Sequence, residues 1–120
     1  MKAKISLGAV LLLAVLLSCA TFSQTAYKTL FVSYYSYDAT LSVLGDLYKE
    51  GKVAEEEKVH AIRLGHIYSK AHNEAVGALA KYEEAGGAGS QDAYKVAATA
   101  MADALVELIA YCRPIIERSE

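Results

Sequence analysis

Residues 25–50 read TAYKTLFVSYYSYDATLSVLGDLYKE, and the spacing of their large side chains decides the fold. Tyr27, Leu30, Tyr34, Tyr37, Leu41, Leu44 and Tyr48 recur at alternating steps of three and four. A strand brings every second residue to one face, whereas a helix brings every third or fourth. The run from Leu30 to Tyr37 has the aromatic content of a strand, but it lacks polar alternation and the pattern continues well past strand length. A helix is therefore expected, with Thr25 as its cap and Gly51 as its end. Val32, Ala39, Val43 and Leu47 add a second apolar stripe, and few charges separate the two, chiefly Lys28, Asp38 and Asp46. A helix apolar on two sides is either central in its own bundle or part of a partner surface. Burial within the monomer is the simpler expectation. Tyr35 lies off the main seam and is the expected exposed aromatic.

Two more helical segments follow. From about Val53 to Ala85, the residues Leu64, Ile67, Tyr68, Ala71, Ala75, Ala78, Leu79 and Tyr82 share one face, and Glu55, Glu56 and Glu57 occupy the first turn, where they complement the helix dipole. The alanines on that face suit close helix packing. Gly86-Gly87-Ala88-Gly89-Ser90 reads as a flexible turn, with Ser90 capping the next helix. From about Gln91 to Arg113, Tyr94, Ala98, Met101, Leu105, Leu108, Cys112 and Ile115 form a third seam. Pro114 is expected to end or kink this helix, and the tail from Glu117 to Glu120 to fray. The fold class expected is all-α, an antiparallel three-helix bundle running up, down and up.

Composition bounds what such a bundle does. The chain has 120 residues, is 54% hydrophobic and 22% charged, and carries a net charge of −2. This is globular, with no basic footprint for nucleic acid and no polybasic patch for anionic lipid. Two cysteines are too few for a disulfide framework. Cys112 falls on the third seam and is expected to be buried and inert.

Candidate chemistry is thin. His60, His66 and His72 are spaced by six residues, which points them in three directions around one helix and gathers no metal site. Glu57-Lys58-Val59-His60 has the Glu-x-x-His spacing of ferritin-like di-metal proteins, but no histidine lies outside the second segment to complete the set. A helix-surface pair of Glu56 with His60 explains these residues. Leu44-Gly45-x-x-Tyr48 and Leu64-Gly65-x-x-Tyr68 match part of the tetratricopeptide pattern, but at a period of 20 residues instead of about 34. No nucleophile elbow or catalytic-thiol signature is present. No catalytic residue, cofactor or metal is therefore expected.

The amino terminus carries the one specific signal. Met1-Lys2-Ala3-Lys4 is cationic, and Ile5 to Leu17 is an apolar run of 13 residues. A spanning helix needs about 20 residues, so the run suits the core of a secretory signal. Leu16-Leu17-Ser18-Cys19 resembles the lipobox of bacterial lipoproteins, with an aliphatic residue three before the cysteine and a small residue just before it. Leu17 stands where that family more often has a small or β-branched residue. The resemblance covers roughly the first 20 residues and implies diacylglyceryl transfer to the Cys19 thiol, cleavage between Ser18 and Cys19, and acylation of the new amine by a fatty acid such as palmitate. Two or more acyl chains convert marginal membrane binding into stable anchoring. Loss of Lys2 and Lys4 takes the net charge from −2 to about −4. Ordinary signal peptidase is the alternative, because Ser18-Cys19-Ala20 also fits its small-x-small rule, and a cut after Ala20 leaves a soluble secreted protein.

The organisation expected is a signal peptide over 1–18, the lipidated cysteine and a short tether over 19–24, and the helical domain over 25–120. The function expected is that of a non-enzymatic cell-envelope lipoprotein, a helical interaction module held near the membrane. Its partner would be a protein or a second copy bound through the first helix. Ala20 follows the cysteine where, by resemblance to the enterobacterial sorting rule, an aspartate would retain the protein at the inner membrane. That favours the periplasmic face of the outer membrane in a Gram-negative host. A phage-related superinfection-exclusion or lysis-associated lipoprotein is the alternative from another class; a single proline disfavours lysis, since small outer spanins are typically proline-rich.

Overall fold

The structure, a computed structural model, describes residues 7–120, with side chains from residue 21 onward. It consists of three helices, α1 (Leu7–Lys49), α2 (Glu55–Ala85) and α3 (Ala88–Arg118), all in mutual contact. Cross-helix contacts set the directions. Tyr27 bonds Glu83 at one end of the α1–α2 pair and Tyr48 bonds Glu55 at the other, so these two helices are antiparallel. His60 contacts the Tyr111 ring and Arg118 bonds Glu57, so α2 and α3 are antiparallel as well. The result is the up-down-up three-helix bundle that the three seams imply, with α2 and α3 its most extensively packed pair.

Each turn follows from its glycine chemistry. Gly51 has φ 78°, the Lys52 N–H reaches the Leu47 carbonyl at 2.9 Å, and the Gly51 N–H reaches that of Tyr48 at 3.0 Å. That pair of bonds is a Schellman stop, which needs a left-handed residue. Val53 then folds back into the core at 6% exposure. The second turn is shorter than the Gly86–Ser90 linker expected. Gly86 and Gly87, both at positive φ, reverse the chain, and the Gly87 carbonyl already accepts the first helical bond from Gln91. Gly89 and Ser90 are thus inside α3, and Ser90 does not cap it.

Three further boundaries differ from expectation. Thr21–Gln24 is helix and not tether, and Thr25 lies within α1 instead of capping it. The reason is Phe22, which sits four residues before Ala26 and packs edge-on against Tyr82 at 4.8 Å and Tyr94 at 5.6 Å. Pro114 does not end α3, which continues to Arg118. Buried Ile115 and the bond from Arg118 to Glu57 hold that last turn and leave only the final residues outside it.

The core is two clusters joined by Tyr37. The upper one centres on Tyr68, Leu79, Tyr94 and Met101, the lower one on Leu44, Leu108, Cys112 and Ile115. The inward seam of α1 differs from the one read by size. Ala26 and Ser33 are buried, while Tyr27 and Tyr34 are half exposed. The large rings come from the other helices: the Tyr94 hydroxyl approaches the Ala26 carbonyl at 3.4 Å, and the Tyr68 hydroxyl lies 2.6 Å from that of Ser33. Alternating large and small partners is how facing layers fill space.

Gly65 serves the same close approach. A Cβ there would stand 3.1 Å from Leu41 Cδ1 and 3.4 Å from Tyr37 Cε2, so α1 and α2 meet over a bare backbone. Gly45 and Gly77 are also helical, yet a Cβ at either meets nothing within 4 Å. Gly77→Ala and Gly45→Ala are each expected to stabilise the fold by about 0.5–1 kcal/mol, since glycine loses more backbone freedom than alanine on entering a helix. Thermal unfolding should show each as a midpoint rise of about 2–8 °C. Gly65→Ala, which must displace Leu41, should gain less than either.

Candidate interaction surface

Ser18 and Cys19, the cleavage and lipidation residues expected from the sequence, lie outside the residues whose side chains the structure describes. Among the described residues, no helix is long and apolar enough to cross a membrane.

Two of the three histidines are engaged in packing. His60 rests on the Tyr111 ring of α3 with centroids 4.3 Å apart, in place of the Glu56 pairing expected from spacing alone. His72 contacts Tyr34 of α1 and Tyr68, and His66 is exposed on the outer side of α2. The histidines therefore have separate surroundings, and no three His, Cys, Asp or Glu side chains among the described residues converge on a metal position. Cys112 is fully buried, as expected, and burial pushes its thiol pKa up. A thiol held protonated is a poor nucleophile.

Charge gathers at the lower end of the bundle. Glu57 accepts the Ala54 N–H at 3.0 Å and takes both guanidinium nitrogens of Arg118, Nη1 at 2.8 Å. Glu55 accepts the Tyr48 hydroxyl at 2.6 Å and pairs with Lys58, whose ammonium also lies 4.3 Å from the Tyr48 ring centroid. These contacts clasp the end of α1, the start of α2 and the end of α3. Arg118 and the Ala54 amide lower the Glu57 pKa from 4.5 to about 2. A depressed carboxylate stabilises the fold above its unfolded pKa, and the contribution disappears as pH falls through the folded value. Arg118→Met is therefore expected to lower the thermal midpoint at neutral pH. The gap from the unmodified chain should close between about pH 4.5 and pH 2, followed by circular dichroism.

The outer side of α1 is the surface that packing leaves unexplained. Phe31 is 72% exposed, Tyr35 67% and Val32 60%, with Tyr27 and Tyr34 beside them. The second stripe, expected to be buried, is mostly open: Val32, Ala39 and Val43 face solvent and only Leu47 is partly covered. Of the two placements that spacing allows for this stripe, burial in the bundle is not the one observed, and Phe31 exceeds Tyr35 in exposure. Charge is just as uneven. Residues 21–45 hold only Lys28 and Asp38, whereas α2 carries ten charged residues and α3 seven. A shallow apolar groove between α1 and α2, lined by Tyr27, Phe31, Tyr34, His72 and Val76, continues this surface. Large side chains exposed together in this way make the outer side of α1 the candidate interaction surface. No protein family, curated protein or solved structure matches the chain.

Proposed function

We propose that the chain is a non-enzymatic lipoprotein of the bacterial cell envelope, anchored through acyl chains on Cys19 and presenting the outer face of α1 to a protein partner or to a second copy. The observation that carries this reading is the sequence Leu16-Leu17-Ser18-Cys19, closing an apolar run behind Lys2 and Lys4. Ala20 after the cysteine favours the periplasmic face of the outer membrane in a Gram-negative host. The nearly uncharged, aromatic surface that begins a few residues after Cys19 supports a binding role near the membrane. The burial of Cys112 and the separate packing of His60 and His72 agree with a role that is not catalytic.

Mass spectrometry of the membrane-extracted protein tests the anchor. The expected result is an N-terminal peptide that begins at Cys19 and carries diacylglyceryl and fatty acyl groups. Cys19→Ala should prevent acylation and cleavage before residue 19. A mature chain that begins at Thr21 without lipid would replace this reading with a soluble secreted protein.

A further inference from the structure

The exposed side of α1 contains a seam of its own. Gln24, Lys28, Phe31, Tyr35, Asp38 and Ser42 follow one another at steps of four, three, four, three and four, and all six are exposed. That is the spacing of the contact positions of a two-stranded coiled coil. The seam lies opposite the inward residues Ala26, Leu30, Ser33 and Leu44, so it faces solvent, with Phe31 at the rim of the α1–α2 groove. Its composition is symmetric about position 33: Phe31 mirrors Tyr35, Lys28 mirrors Asp38, and Gln24 mirrors Ser42.

We propose that a second copy of this chain covers the seam, through an antiparallel α1–α1 pairing centred near residue 33. In that register Phe31 of each copy meets Tyr35 of the other, and Lys28 of each copy meets Asp38 of the other, twice per dimer. The outer-side contact positions contain only these two charges, and neither takes part in an ion pair among the described residues. Antiparallel pairing sets opposite charges against each other, whereas parallel pairing in register sets lysine on lysine and aspartate on aspartate. Paired polar groups at contact positions fix orientation and register, and the aromatic pairs supply apolar burial. The two-fold axis is perpendicular to the plane of the paired helices.

This inference rests on the outer face of α1 being the interaction surface and not on the lipid anchor. Its test uses the full chain in two differently tagged forms, one carrying Phe31→Cys and the other Tyr35→Cys, oxidised in intact cells. The expected result is a cross-link between unlike tags well above that between like tags. Equal like-tag and unlike-tag cross-linking, or none, overturns the antiparallel register.

Charge exchange supplies a second readout on detergent-extracted protein. Lys28→Asp and Asp38→Lys, taken singly, should each weaken self-association about tenfold or more, because every crossing then pairs like charges. An equimolar mixture of the two variants should recover it, since each crossing again pairs opposite charges. Both positions are exposed, so circular dichroism should show an unchanged fold. A mixture as weak as its components overturns the pairing, as does a monomeric chain whose binding to phosphatidylcholine vesicles is lost in Phe31→Ala. The Cys19→Ala chain should still dimerise, which separates failure of the anchor from failure of the dimer.

Discussion

Tyr68→Ala is expected to destabilise the bundle by about 3–5 kcal/mol, the usual cost of removing a fully buried aromatic side chain. Tyr68 is 0% exposed and sits where all three helices meet the upper core. Its ring stacks on Tyr37 with centroids 4.7 Å apart and planes 28° from parallel, and its hydroxyl lies 2.6 Å from that of Ser33. A domain of this size is stable by about 5–15 kcal/mol, so the loss is a large fraction of the whole. The thermal midpoint should fall by about 4–8 °C per kcal/mol. Tyr68→Phe separates ring from hydroxyl. It strips Ser33 of its partner, but a helical serine can turn to the carbonyl four residues back, as Ser36 and Thr40 already do. The cost should therefore be near 1 kcal/mol. Burial also raises the Tyr68 phenol pKa above 10.0, so its contribution is complete below about pH 10 and is lost at higher pH. The phenylalanine variant should lose less stability there than the unmodified chain.

The bundle was legible because three long seams repeat at helical spacing and glycines separate them. Boundaries were less legible where one residue outweighs local signals. Phe22 draws Thr21–Gln24 into α1, although nothing near it in sequence shows the Tyr82 and Tyr94 rings waiting across the bundle. Pro114 is a helix breaker by itself, yet the buried Ile115 and the Arg118–Glu57 clasp outweigh its missing N–H. The clasp joins residues 61 apart, and only the fold brings them together.

The two faces of α1 are hard to tell apart in the sequence for a physical reason. Side-chain size is a poor guide to the inward face of α1, where Ala26 and Ser33 are buried and Tyr27 and Tyr34 are half exposed. A helix facing tyrosines buries small residues, because the neighbour supplies the volume. The outward seam was visible as spacing, but Lys28, Asp38, Gln24 and Ser42 hide it from any pattern that counts only apolar residues. Its symmetry matters only once the structure places all six positions on the solvent side.

Leu108→Ala probes the other half of the core and should cost about 2–5 kcal/mol. Leu108 is 0% exposed, and its cluster takes walls from α1 through Leu44, from the first turn through Val53, from α2 through Ala61 and from α3 through Cys112 and Ile115. A cavity bounded by separate segments collapses poorly, and Ala61, itself 0% exposed, has no long side chain to fill it. The upper half of the range is therefore the expected result. The chain has nine tyrosines and no tryptophan, so tyrosine fluorescence and far-UV circular dichroism together report tertiary and helical structure. Tyr37 packs against both clusters, so they are expected to unfold as one cooperative unit. Leu108→Ala and Tyr68→Ala should each move one shared transition, coincident by both probes and with unchanged denaturant slope. If Leu108→Ala instead split the transition and left the Tyr68 end folded, the clusters would be separate folding units, with Tyr37 packed against both but coupling neither.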